Sequence, residues 1–129
     1  DLRLEERLID LMISMESLFS KETQELHLRL SLRAAFLLGI QRENERPIIF
    51  QDIYELYKKR SQVVHGHERV RLTYEEISKL RSYVRESIKR LMYVEMPKPS
   101  LLDLIDKSIY DNESKRQLEQ IITTSLQRW

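Results

Sequence analysis

The sequence predicts an all-α protein, an antiparallel four-helix bundle with one or two additional C-terminal helices. Only two glycines and three prolines interrupt its 129 residues, whereas a sheet protein of this size needs many turns rich in such residues. Most of the dominant residue types, such as Leu, Glu, Arg, Lys and Gln, favour helices. Apolar side chains also recur at three- and four-residue steps, which marks one face of a helix.

The apolar pattern divides the first part of the chain into four helices, at about residues 4–19, 22–40, 51–65 and 73–94. Gly39, near the end of the second helix, can adopt the left-handed conformation that closes a helix. A polar loop follows over residues 41–47. Thr73 and Glu76 match a capping box, in which each side chain accepts from the other's backbone N–H. Val64 is expected on the buried side of the third helix and Met92 in the core.

A Pro-Lys-Pro segment at residues 97–99 breaks the helical pattern. We therefore expect a helical bundle core over residues 1–96 and a C-terminal helical extension over residues 97–129, packed on the same domain. The extension holds a short helix and a last helix capped by Asp111 or Asn112.

Composition excludes several classes of function. The chain has no cysteine, which excludes disulfides, thiolate metal sites and a thiol nucleophile and fits a reducing, cytoplasmic location. No His-x-x-x-His pair or glycine-rich phosphate loop occurs, so no metal or other cofactor is expected. No apolar run approaches the roughly 20 residues that span a bilayer, and no membrane partner is expected.

The net charge of +1 leaves no global field to attract nucleic acid, so any such surface must be local. One candidate combines Lys58, Lys59 and Arg60 with Arg69 and Arg71. A second candidate lies on the fourth helix and comprises Lys79, Arg81, Arg85, Lys89 and Arg90. The alternative for both is an ordinary solvated helix surface.

The end of the third helix carries the clearest chemical grouping. Ser61 and His65 share a helix face, and Arg60 lies about 100° to one side of Ser61. The group combines an imidazole that can exchange a proton near neutral pH, a fixed cation and a hydroxyl. Such groups can cleave RNA without a metal, because a base removes the 2′-hydroxyl proton while a cation holds the phosphate.

The string LYKKRSQVVHG at residues 56–66 resembles the motif of HEPN domains. In their Apea-like branch a Tyr, an Arg-Ser pair, two apolar residues and His-Gly recur. Residues 14–19 are similar to the first-helix pattern of that branch, and residues 25–26 and 33–39 to its second. The similarity covers about residues 10–95.

The resemblance implies a metal-independent endoribonuclease that acts as a homodimer, in which two copies of the motif meet and form one composite site. Arg60 would hold the scissile phosphate, His65 would be the acid or base, and Ser61 would orient the arginine. The products would be a cyclic phosphate and a 5′-hydroxyl. RNA would be the substrate, with possible contacts from Lys58, Lys59, His67 and Arg69. An antitoxin, or further domains of a longer defence protein, would be additional partners.

Several alternatives remain open at this stage. Glu16 and Arg33 could be a buried pair that positions His65, or a structural salt bridge. Tyr57 could support the site or simply pack, and His27 is interpreted as a surface or packing residue. The whole domain could also be a catalytically silent HEPN-like module for dimerisation or for RNA or nucleotide binding. An unrelated helical interaction domain is the third possibility.

Overall fold

The structure is a computed structural model that describes residues 1–66 and 69–129. Within these residues the chain forms six α-helices and one short 3-10 turn, without strands, so the predicted all-α class is confirmed. The helices are α1 (Leu2–Phe19), α2 (Leu26–Leu38), α3 (Arg46–His65), α4 (Tyr74–Leu91), α5 (Lys98–Ser108) and α6 (Asn112–Leu126).

Two predicted helix caps are confirmed. At the start of α4, Thr73 Oγ1 accepts from the Glu76 N–H at 3.1 Å, and Glu76 Oε1 accepts from the Thr73 N–H at 2.9 Å. At the start of α6, Asp111 Oδ2 accepts from the Ser114 N–H at 3.1 Å. Both caps satisfy backbone donors that a helix leaves without partners in its first turn. Local sequence therefore determines where α4 and α6 begin.

The start of α3 differs from the prediction. The helix begins at Arg46 and has Pro47 in its first turn. Proline is suited to this position because N–H groups in the first turn have no partner within the helix and because the φ of proline is already helical. The residues before it form a 3-10 turn at Glu43–Glu45. The predicted loop over residues 41–47 is therefore wrong in its last part, since a proline can begin a helix as well as break one. Pro99 occupies the same kind of position in α5.

Helix α2 is shorter than predicted at both ends, and its closing residue behaves differently. Gly39 has a φ of −89°, so the predicted left-handed conformation is wrong, and Gln41 adopts it instead with a φ of 66°. Gly39 is needed for space. An added Cβ would lie 2.3 Å from Cγ of Arg46 and 2.8 Å from the carbonyl oxygen of Ala35.

The buried faces of the helices meet in one hydrophobic cluster. Helix α1 contributes Leu8, Met12, Met15 and Phe19, and α5 and α6 belong to the same cluster through side chains such as Ile105 and Ile122. The prediction that Val64 and Met92 are buried is wrong, because Val64 is 53% exposed and Met92 is 55% exposed. Both lie near helix ends, where few neighbouring elements remain to cover an apolar side chain.

Each of the first four helices contacts at least two others. Helix α1 packs on α2, α3 and α4, and α2 lies mainly against α3. Helix α5 packs on α2, and α6 packs on α4 and α5. The boundary between residues 96 and 97 stays a prediction. None of the described helices combines the length and the apolar content that a membrane crossing requires.

Candidate functional site

The last two turns of α3 present the predicted grouping. Gly66 ends the helix with a φ of 64°, and its N–H donates to the carbonyls of Gln62 at 3.0 Å and Val63 at 3.3 Å. A left-handed residue at this place is the usual way to close a helix, and glycine adopts it without steric penalty. His65 is therefore the last residue of α3, and it is exposed.

Arg60 is held from two sides. Its Nη2 lies 3.5 Å from Glu16 Oε1 on α1, and its guanidinium carbon lies 5.7 Å from the centre of the Tyr57 ring, within the range of a cation–π contact. The arginine side chain is 25% exposed. Its Nε is shielded from solvent and has no hydrogen-bond partner among the described residues. The guanidinium is thus ordered by its neighbours and retains a donor without a partner.

The ring of Tyr57 packs against the guanidinium of Arg60. Its residue is only 9% exposed. Burial raises the pKa of the Tyr57 phenol, and the negative charge of Glu16 raises it further, while Arg60 opposes both. The tyrosine therefore stays neutral over the physiological range and acts through its ring, as packing and as a surface for the arginine.

His27, from the first turn of α2, is part of the same arrangement. Its ring stacks on Tyr54 with centroids 3.9 Å apart and on Tyr57 with centroids 4.7 Å apart. Its Nε2 lies 2.6 Å from the carbonyl oxygen of Tyr54. The sequence predicted a surface or packing role for His27 and did not indicate this contact. Tyr54 and Tyr57 lie one turn apart on α3, but no local pattern in the sequence shows which other helix adds a ring to them.

The other predicted substrate-binding residues have different surroundings. Lys59 donates to Glu76 Oε2 at 2.6 Å, which ties α3 to the start of α4. Burial alone would raise the pKa of Glu76, but the hydrogen bonds from Lys59 and Thr73 outweigh it and lower the pKa. Lys58 and Arg69 are exposed, and Ser61 is half-buried. The predicted contact from His67 lies outside the described residues.

Glu16 and Arg33 do not form one pair around His65. Glu16 contacts Arg60, whereas Arg33 is fully buried elsewhere. Arg33 donates to both carboxylate oxygens of Asp106, at 2.9 and 3.0 Å, to Glu22 at 2.6 Å and to the carbonyl of Phe19 at 2.7 Å. Arg33 therefore joins α2 to α5, and the supporting contacts of Arg60 come from Glu16 and Tyr57.

In the second basic candidate, on α4, some of the cations form ion pairs and others do not. Lys79 lies 3.5 Å from Asp52, and Arg90 lies 2.5 Å from Glu86. Arg81, Arg85 and Lys89 make no ion pair with the residues that the structure describes. Two of the five cations on this face are therefore held in ion pairs within the protein. Across residues 1–66 and 69–129, no group of His, Asp or Glu side chains is arranged to bind a metal ion.

Comparison with known protein families, with curated proteins and with solved structures finds no match to this chain. The resemblance to HEPN domains therefore depends on the motif residues of α3 and on the helical context described above.

Proposed function

We propose that this protein is a HEPN-type, metal-independent endoribonuclease whose site is formed by Arg60 and His65. The observation that carries the proposal is the state of Arg60, which is held by Glu16 and Tyr57 and keeps 25% of its side chain exposed, five residues before an exposed histidine. An ordered guanidinium is suited to hold a phosphate. An exposed imidazole is suited to exchange protons with a substrate.

The proposed reaction uses only these groups and the RNA itself. An imidazole takes the proton of the 2′-hydroxyl, and the 2′-oxygen attacks the adjacent phosphorus. The bond from phosphorus to the 5′-oxygen breaks, and the leaving oxygen takes the proton that the imidazole removed from the 2′-hydroxyl. The products are a cyclic phosphate and a 5′-hydroxyl. Arg60 stabilises the charge that develops on the phosphate oxygens.

We propose further that α1–α4 form an antiparallel four-helix bundle and that two copies assemble around the end of α3. A helix turns about 100° per residue, so Arg60 and His65 of one copy are roughly 140° apart around its axis. A second copy would bring its own histidine toward that arginine.

One observation favours a second candidate, a HEPN-like module that binds RNA without cleaving it. The Glu16 carboxylate already pairs with Arg60 and would compete with a phosphate for the guanidinium. In such a module, RNA would bind with a strong salt dependence and remain intact.

The test is cleavage of a single-stranded RNA by purified protein in excess chelator. We expect cleavage by the parent protein and losses of at least about 100-fold in His65→Ala, which lacks the proton-transfer group, and in Arg60→Ala, which lacks the cation that stabilises the phosphate charge. Arg116→Ala is the matched control, because Arg116 is exposed on α6 and forms its ion pair, among the described residues, with the neighbouring Glu113. Thermal melts monitored by circular dichroism establish that each variant is folded.

Three outcomes separate the candidates. Cleavage that the Arg60 and His65 variants lose, together with a dimeric mass in solution, supports the ribonuclease. Salt-dependent RNA binding without cleavage rejects it in favour of the binding module. Absence of both activities, or equal cleavage by all variants, rejects both functions for this site.

A further inference from the structure

We infer that His27 is a positioning residue for Arg60, and that it acts through the ring of Tyr57. The inference rests on the proposed function, since it assigns His27 the task of holding the guanidinium in the orientation that receives a phosphate. It adds to the site a residue from α2, whereas Arg60 and His65 lie on α3.

The imidazole of His27 is fixed by a hydrogen bond to α3. A carbonyl oxygen can only accept, so at 2.6 Å from the Tyr54 carbonyl the His27 Nε2 must carry the hydrogen and donate it. That carbonyl has two lone pairs and can accept this bond in addition to one from the helix. The bond sets both the tautomer and the direction of the ring, and it joins the start of α2 to the middle of α3.

The fixed imidazole in turn orients two tyrosine rings. The planes of His27 and Tyr54 differ by 16°, and those of His27 and Tyr57 differ by 22°. Phe50 extends the row, with its centroid 5.4 Å from that of Tyr54. Tyr54 and Tyr57 are one turn apart on α3, and the ring from α2 connects them. Without it, the Tyr57 ring would lose a stacking partner that limits its rotation.

The last step connects Tyr57 to Arg60. The guanidinium carbon lies 5.7 Å from the Tyr57 ring centre, while Glu16 holds Nη2 at 3.5 Å. An arginine side chain has many rotamers, and ordering it in advance lowers the entropy that binding must overcome. A tyrosine ring that moves offers a poorer surface for the guanidinium. Removal of His27 therefore loosens Arg60 even though the two residues do not touch.

Three substitutions separate stacking from simple packing. His27→Phe keeps an aromatic ring but loses the donor. His27→Asn keeps a donor but loses the ring, and His27→Ala loses both. Leu104→Ala is the control for a general loss of stability, because Leu104 is buried on α5, whereas the residues described above as holding Arg60 lie on α1 and α3.

The first readout does not require activity. NMR relaxation of the Arg60 Nε–H group gives an order parameter for the side chain, on the scale where rigid backbone groups have about 0.85 and flexible ones fall below about 0.6. We expect a rigid value in the parent protein, in His27→Phe and in Leu104→Ala, and a flexible value in His27→Ala and His27→Asn. If His27→Ala does not fold, the comparison of His27→Phe with His27→Asn decides.

The second readout is RNA cleavage by the same proteins. We expect His27→Ala to lower kcat about tenfold with a smaller effect on KM, and His27→Phe to restore most of the loss. An unchanged Arg60 order parameter in the ring-less variants overturns the inference. Unchanged cleavage by His27→Ala, when His65→Ala is inactive, also overturns it. An equal loss of cleavage in Leu104→Ala and His27→Ala does so as well. If the parent protein cleaves nothing while the order parameter falls as expected, the positioning stands and the proposed ribonuclease is rejected.

Discussion

Arg33 shows at the scale of one residue how this chain uses a buried charge. The side chain is 1% exposed and forms ion pairs with Glu22 and Asp106. Burial alone would lower the pKa of the guanidinium, but its hydrogen bonds to Asp106 and Glu22 outweigh that effect and raise it. Burying a charge is unfavourable unless partners saturate it, and these partners come from α5 and from the segment between α1 and α2.

We predict that Arg33→Met lowers the free energy of unfolding by about 3 kcal/mol, because the two carboxylates lose their partner. This is the low end of the range for breaking a buried pair, since Glu22 and Asp106 are about one-third exposed. Urea unfolding monitored by circular dichroism measures the change. Arg116→Met, on the exposed face of α6, serves as the control and should change stability by less than about 0.5 kcal/mol. A stability loss no greater than that of this control would show that the ion pairs contribute little.

His27, also at the scale of one residue, is defined by its contacts with another helix. Its type and position in the sequence did not distinguish it from a surface histidine, and its importance comes from the rings of α3 against which it packs. A contact between residues 27 positions apart depends on how two helices are placed. No spacing rule within one helix can supply it.

At the scale of one element, the end of α3 determines how His65 is presented. Gly66 closes the helix in the left-handed conformation, and an added Cβ would meet nothing within 4 Å. The requirement for glycine is therefore conformational rather than steric. Most other residues adopt this conformation at a cost of roughly 1–2 kcal/mol, and Asn adopts it more readily.

We predict that Gly66→Ala lowers the free energy of unfolding by about 1 kcal/mol and that Gly66→Asn lowers it by less. Equilibrium urea unfolding of both variants beside the parent protein measures the two effects, and each variant controls for the other. Equal stability of Gly66→Ala and the parent would show that the helix end rearranges without strain. Under the proposed function, Gly66→Ala should also reduce cleavage, because the direction of His65 depends on this turn.

At the scale of the whole molecule, ion pairs join elements that are distant in sequence. Lys21 pairs with Asp103 on α5, Lys115 on α6 pairs with Glu43, and Lys59 connects α3 to α4. The partner cations lower the pKa of Asp103 and of Glu43. The hydrogen bond from Arg33 likewise lowers the pKa of Glu22. The assembly of the helices is thus coupled to the ionisation of carboxylates.

We predict that stability is highest near neutral pH and falls in acid. A carboxylate whose pKa is lower in the folded than in the unfolded state stabilises the fold above its unfolded pKa, which is about 4 for Asp and Glu. That stabilisation is lost as the pH falls through the lower, folded pKa. Urea midpoints measured between pH 7 and pH 3 should therefore be nearly constant above about pH 5.5 and decrease below it.

Arg33→Met provides the control for this pH dependence. Because Arg33 is the main cause of the lowered pKa of Glu22, the variant should be less stable at neutral pH and should lose less stability in acid than the parent protein. Parallel curves for the two proteins would contradict the assignment of this pKa shift to Arg33.

The sequence by itself determined the all-α class, the caps of α4 and α6 and most of the buried stripe of α1, because these follow from periodicity and from contacts within one turn. It also indicated Arg60 and His65 as a pair on one helix. The starts of α3 and α5, which have Pro47 and Pro99 in their first turns, were not determined locally, since proline suits both a helix start and a break.

Only the tertiary structure decided which residues support Arg60. Glu16 and Tyr57 contact it, Arg33 joins α2 to α5, and His27 completes the ring row. It also decided that Gly39 provides space for Arg46 and that Val64 is exposed. The physical reason is common to all of these. Helix formation depends on neighbours in sequence, whereas burial and ion pairing depend on which helices meet, and those contacts are set by the packing of the whole core.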